Sequence, residues 1–264
     1  MVGRGKRVSI SIPKGERVYA VGDIHGMADL LGEALAAITA DIEARPVDRV
    51  TEIFLGDYVD RGPDSRAVIE MLAQPIDGRE RVCLMGNHED AMRNALHDGT
   101  LTGRWLGFGG SETCISFGVD AYGHAHNPLA VQAMMQAVVT DEQRAFLDSL
   151  KLYHVVGNTL FVHAGVRPGI PLDEQTPHDL IWIREPFLSH TGALEYHVVH
   201  GHTPVDHADH REWRTNIDTG AVFGGTLTVA AFEDTSVRFF SVGPAEERKA
   251  PPSHGLNSLY RIRS

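Results

Sequence analysis

Five times along this chain a short, largely apolar run stops at a cluster of Asp, His, Asn and Gly. Residues 17–21 lead into GDIHG (22–26), 53–55 into GDYVDRG (56–62), 82–85 into GNHE (86–89), 160–162 into HAG (163–165), and 198–199 into HGHT (200–203). A short apolar run rich in β-branched and aromatic residues and bounded by glycine reads as a buried strand. Open α/β sheets carry their ligands at the carboxyl ends of strands. The repeated pattern therefore predicts polar side chains delivered to one edge of a sheet. Packing alone gives no reason for five such ends.

Between these runs the period becomes helical. Leu31, Ala34, Leu35, Ile38 and Ile42 share a face, which predicts a helix from about Asp29, its expected N-cap, to Glu43, ended by Arg45-Pro46. A second helix, with Val68, Ile69 and Leu72 on one side, follows Pro63-Asp64, with Asp64 placed to cap it. A third runs from GNHE to about His97. This β-α alternation favours a parallel sheet with right-handed crossovers.

Residues 99–127 are Gly-rich, include Trp105, and read as a loop or small cap over the sheet edge. Pro128 opens a helix at its first turn, and Thr140-Asp141-Glu142-Gln143 fits a capping box for another. From Tyr153 the chain turns mainly β, with paired strands at 226–232 and 236–242 joined at Asp234-Thr235. The expected fold is α/β, a two-sheet β-sandwich flanked by helices, spanning residues 1–243. Residues 244–264 shift to Pro, Glu, Lys, Ser and Arg and are expected to form a mobile tail.

A net charge of −11 argues against a general nucleic-acid or anionic-membrane surface. Two cysteines, Cys83 and Cys114, are too few for a disulfide framework, and Cys83 sits in an apolar run as a buried, inert thiol. No run approaches the length of a membrane span, and the basic N-terminus lacks the apolar core of a secretory signal. A cytoplasmic, reduced, monomeric protein is expected.

The strand-end residues point to metal. Asp23 and His25 are two apart, so in an extended segment both project to one side and can grip one ion. Asp57 follows the second run, Asn87 and His88 the third, and His163 and His202 the later two. Mixed nitrogen and oxygen donors without thiolate suit Mn²⁺, Fe or Zn²⁺ better than a structural zinc site. A carboxylate such as Asp57 can span two ions, which in paired sites sit ~3.5–4 Å apart. With Asn87 neutral, two divalent ions exceed the charge of Asp23, Asp57 and a shared hydroxide, leaving a site that attracts a phosphate dianion.

GDIHG, GDYVDRG and GNHE in succession, completed by HAG and GHT, resemble the PPP family of metal-dependent phosphoprotein phosphatases, within the calcineurin-like metallophosphoesterases. The resemblance runs from about Val18 to Val242 and is nearest to bacterial and phage serine/threonine phosphatases. It implies two divalent ions, Mn²⁺ with Fe or Zn²⁺ as alternatives. Asp23 and His25 would hold the first, Asp57 would bridge, and Asn87, His163 and His202 would hold the second. It further implies a metal-bridging hydroxide as nucleophile, Arg61 and Arg184 as phosphate contacts, and a hydrogen-bonded Asp60–His88 pair in which His88 protonates the leaving alkoxide. Asp218 is a candidate to orient a ligand histidine or to serve a turn. His200 reads as core or as support for the ligands, and His124 and His126 as solvated loop residues.

The implied substrate is a phosphorylated protein or peptide. The rival is a diadenosine tetraphosphate or related nucleotide polyphosphate, a group that typically departs from this chain at Asp60 and Glu89. A scaffold that kept the fold and lost the chemistry would lack ligands or the acid, and here every one is present.

Overall fold

The computed structural model describes residues 9–243, and the tail expected at 244–264 lies outside them. The chain begins β1 (Glu16–Val21), α1 (Ala28–Ala44), β2 (Arg49–Phe54), α2 (Ser65–Ala73), β3 (Glu80–Cys83) and α3 (Asn87–His97). Four helices follow, α4 (Thr102–Trp105), α5 (Ser111–Ser116), α6 (Pro128–Val138) and α7 (Asp141–Ser149). Then come β4 (Tyr153–Val156), β5 (Thr159–Val162), α8 (Pro177–Trp182), β6 (His197–His200), β7 (Asp209–His210) and β8 (Arg214–Asn216), and finally β9 (Leu227–Glu233) and β10 (Ser236–Val242).

The strands form two five-stranded sheets, ordered β10-β9-β1-β2-β3 and β4-β5-β6-β8-β7. β1, β2 and β3 are parallel, as are β5, β6 and β8, while β9 runs antiparallel to both β1 and β10, β4 to β5, and β7 to β8. This is the expected sandwich flanked by helices. The strand-end residues, however, do not share one sheet edge: β1, β2 and β3 belong to the first sheet, β5 and β6 to the second.

Alternation along the central strands explains how both faces are filled. Val18, Ala20, Ile53 and Leu55, with Phe232 of β9 in the same sheet, point into the sandwich interior against Phe161, Val199 and Ile217 on the side of the opposing sheet. Tyr19, Val21 and Phe54 face the other way, against Leu31, Ala34 and Ile38 of α1 and Val68 and Ile69 of α2. A strand buried on both sides has little freedom to slip, because a one-residue shift would exchange its two faces.

Local signals held in most places. Asp64 accepts the backbone N–H of Ala67 at 3.1 Å, and Thr140 and Gln143 make both bonds of the capping box. Asp29 does not cap α1, which starts one residue earlier after Met27 without a side-chain cap; Asp29 instead sits in the first turn, where its charge meets the positive helix end. Residues 99–116 are helical rather than a loop. Gly109 takes φ +116° in a wide turn over Leu106–Gly110, and a Cβ on Gly110 would lie 2.5 Å from the Trp105 ring. The glycines thus allow a kinked helical path around an indole, where composition alone pointed to a loop or small cap. α8 likewise interrupts the region expected to be mainly β.

Cys83 and Cys114 are free thiols, and burial pushes both up to about 12. Among the described residues no helix is long and apolar enough to cross a membrane.

Candidate active site

The ends of β1, β2, β3, β5 and β6 converge where the two sheets meet. Asp23, His25, Asp57, Asn87, His163 and His202 are all buried there. The loops that carry them take unusual paths. His25, Asp57, Asp60, Arg61 and His202 have φ between +46° and +72°, five of the six such non-glycine residues among those described. Each costs of order 1–3 kcal/mol, and backbone strain of this kind clusters at functional sites.

Two groups of candidate ligands share Asp57. One comprises His25, Asp57 and His88, the other Asp57, His163 and His202, and within each the ligand atoms lie within 4.8 Å of one another. Asn87 joins the second, its Oδ1 lying 3.0 Å from His163 Nε2 and 2.9 Å from His202 Nδ1. Asp23 falls outside both groups, yet its Oδ2 accepts the His202 backbone N–H at 3.0 Å. His88, expected as a proton donor, also lies close enough to join the first group.

The donor chemistry fits a cation. His163 Nδ1 lies 2.9 Å from the Leu55 carbonyl, which can only accept, so this nitrogen carries the proton. Nε2 then presents a lone pair toward Asn87 Oδ1 and, at 3.4 Å, toward Asp57 Oδ1. Acceptors converging on acceptors call for a positive ion between them. His25 has the same tautomer, with Nδ1 2.8 Å from the Val59 carbonyl and Nε2 3.4 Å from Asp57 Oδ2, but its Nε2 also has Arg61 Nη1 as a donor. Asp23 Oδ1 and His202 Nε2 are buried with no hydrogen-bond partner.

Protonation states agree with this. Burial pushes His25 and His202 down to about 3 and lowers His163, which keeps the imidazoles neutral, the form that ligates metal. Burial would raise Asp57, but His163, His88, His25 and His202 hold it below the usual carboxylate range. Asp23 is raised by burial and then by Asp218. Asp218 accepts the Gly220 N–H at 3.1 Å, and its charge acts on Asp23. It serves a turn, as one of its two expected roles.

Beside the two groups lies a hydrogen-bonded pair. His88 Nδ1 is 2.7 Å from Asp60 Oδ2, and His88 Nε2 is buried and unpartnered. Asp60 is fully buried. Trp105 Nε1 donates to both its oxygens at 3.1 Å, and Thr113 Oγ1 donates to Oδ1 at 2.7 Å. Burial raises Asp60, while His88, Thr113 and Trp105 act to keep it ionised. Trp105 and Thr113 escaped the sequence reading. A lone tryptophan inside a glycine-rich segment was their only trace.

The two arginines flank the site. Arg61 Nη1 donates to His25 Nε2 at 2.9 Å. Arg184 is exposed, its Nη2 lies 3.4 Å from the His202 carbonyl, and its charge acts on His163 and His202. Glu185 Oε2 accepts the Ser189 backbone N–H at 3.3 Å. His200 is buried core, with Nδ1 donating to the Gly201 carbonyl at 3.0 Å, and His124 and His126 are exposed as expected.

Known proteins share this framework. A bis(5'-nucleosyl)-tetraphosphatase, PrpE, of Halalkalibacterium halodurans is 25% identical over 243 residues, covering 84% of this chain and 92% of its own. Serine/threonine-protein phosphatase 1 of Salmonella typhimurium is 27% identical over 220 residues, covering 82% and 92%. A solved structure provisionally described as a diadenosine tetraphosphatase superposes with a TM-score of 0.62 at 21% identity, over 89% of this chain and 96% of its own, and supports the fold alone. The model of the calcineurin-like phosphoesterases matches residues 16–229, a span that holds both ligand groups, the Asp60–His88 pair and both arginines, and the chain belongs to that family.

Proposed function

We propose that this chain is a metal-dependent phosphomonoesterase acting on phosphoserine and phosphothreonine in proteins or peptides. Asp23, His25 and Asp57 would hold one divalent ion, and Asp57, Asn87, His163 and His202 a second; Mn²⁺ suits these donors, with Fe or Zn²⁺ as alternatives. Such a pair supplies Lewis acidity and lowers the pKa of bound water. Arg61 and Arg184 offer planar forks, one at each ligand group, to orient phosphate oxygens and offset their charge.

The observation that carries the reading is the buried pair of His88 and Asp60, with His88 Nε2 left free toward the first ligand group. A serine alkoxide leaves poorly and needs a proton as its bond to phosphorus breaks. His88 can donate that proton from Nε2 while Asp60, anchored by Trp105 and Thr113, holds the ring and its charge. A phosphate chain leaves as a stable anion and needs no such donor.

A second reading, hydrolysis of dinucleoside polyphosphates, has one specific support besides the names of relatives. The exposed rings of Tyr122 and Phe223 line a cavity of about 740 Å³ that reaches Arg61, and exposed rings beside a phosphate contact can stack a base.

The test is turnover in Mn²⁺ of a phosphoserine peptide and of diadenosine tetraphosphate, side by side, with Asp57→Asn as the blank. Preference for the peptide is expected. Preference for the dinucleotide would replace this reading with the second one.

A further inference from the structure

The ring of Phe108 touches both groups to which the reaction above assigns proton and phosphate. It stacks on the His88 imidazole, centroids 4.0 Å apart and planes 5° from parallel. The Arg61 guanidinium lies 5.6 Å from the centre of the same ring, within cation–π range. Arg61 also lies 5.5 Å from the centre of the Phe223 ring, and Phe223 is 64% exposed. The backbone is shaped to this end. Gly109 follows Phe108 at φ +116°, its carbonyl accepts the Arg61 N–H at 3.0 Å, and a Cβ there would lie 2.8 Å from Arg61 Cγ. The wide helical turn over Leu106–Gly110 thus delivers one aromatic ring to two polar side chains from different strand ends.

We propose that Phe108 is a positioning residue that holds His88 and Arg61 in one working geometry, with Phe223 as a second ring beside Arg61. The proposal rests on the phosphomonoesterase reading, in which His88 donates to the leaving oxygen. A parallel stack fixes the plane of the imidazole, while Asp60 fixes its rotation through Nδ1. Together they leave Nε2 a single direction. A ring that merely filled space could be exchanged for an aliphatic side chain without selective effect on the chemistry.

The readout is the ratio of kcat/KM for a phosphoserine peptide to that for p-nitrophenyl phosphate, measured in the metal-loaded protein. The aryl oxide leaves without help, so only the serine ester needs the proton. Phe108→Leu should lower this ratio by about tenfold, the size of a lost aromatic stack, and Phe108→Tyr should restore it. Phe223→Leu should raise KM for both substrates about equally and leave the ratio alone. His88→Asn is the control for the underlying reading: if it spares the ratio, His88 is not the donor and the reading itself falls. If His88→Asn lowers the ratio and folded Phe108→Leu does not, the reading stands and the positioning role is overturned.

Discussion

Glu89 and Asp57 come from different strand ends, and one carboxylate joins them. Glu89 Oε2 accepts the Asp57 N–H at 2.8 Å and its own helix's Gly86 N–H at 3.0 Å, while Oε1 accepts Tyr58 N–H at 2.7 Å and Val59 N–H at 3.1 Å. Four backbone donors, all buried, end on a fully buried side chain. Asp57 itself has φ +53°, so its loop needs such a tie. Glu89→Ala would leave these donors unmet at about 1–3 kcal/mol each, and a large drop in Tm by thermal melt is expected. Glu89→Gln keeps one acceptor and sets an NH₂ against donors, so an intermediate loss is expected.

Asp57 belongs to both ligand groups, which makes it the residue most sensitive to substitution. Asp57→Asn should reduce bound Mn²⁺ below two per chain, read by elemental analysis after gel filtration, and should lower phosphatase turnover by more than about 100-fold. Retention of two ions at full activity would remove Asp57 from the bridging position.

Gly201 gives a test of Asp23. A Cβ at position 201 would sit 2.0 Å from Asp23 Oδ1, the buried oxygen that has no partner. Gly201→Ala should therefore displace the Asp23 carboxylate and weaken metal binding, with a smaller effect on stability. Isothermal titration with Mn²⁺ beside a urea melt separates the two effects.

Asp60→Asn keeps the shape of the buried side chain and removes its charge. The amide cannot balance an imidazolium, and Trp105 and Thr113 lose part of their acceptor. Turnover of a phosphoserine peptide is expected to fall by 10²–10⁴, roughly the range for general-acid catalysis, with a much smaller fall on p-nitrophenyl phosphate.

Stability should also depend on pH through buried histidines that are not themselves candidate ligands. Burial lowers His197 and His200 from 6.5 to about 3. In the unfolded chain they take up protons near 6.5, whereas in the folded chain they stay neutral until about 3. Below 6.5 the unfolded state therefore binds more protons, and stability falls as pH drops from 6.5 toward 3. Urea midpoints of metal-free protein between pH 7 and 4 should show this fall. His200→Gln should flatten it, and an unchanged slope would remove His200 as a contributor.

The sequence alone determined the central strands, the helices between them and the identity of the residues at each strand end, because these follow from short-range periodicity and local capping chemistry. Asp64 and Thr140 cap their helices as their neighbours dictate. At residues 99–116 glycine content pointed to a loop or small cap, and the local fit of Gly110 around Trp105 together with the distant contact of Gly109 with Arg61 goes with a kinked helix. Tertiary structure decided what no local pattern encodes: that His163 and His202 approach Asp57 from a second sheet, that Phe108 lies on His88, and that Glu89 anchors four backbone donors. Such contacts join residues far apart in the chain, and their geometry exists only once two sheets have packed through a shared core.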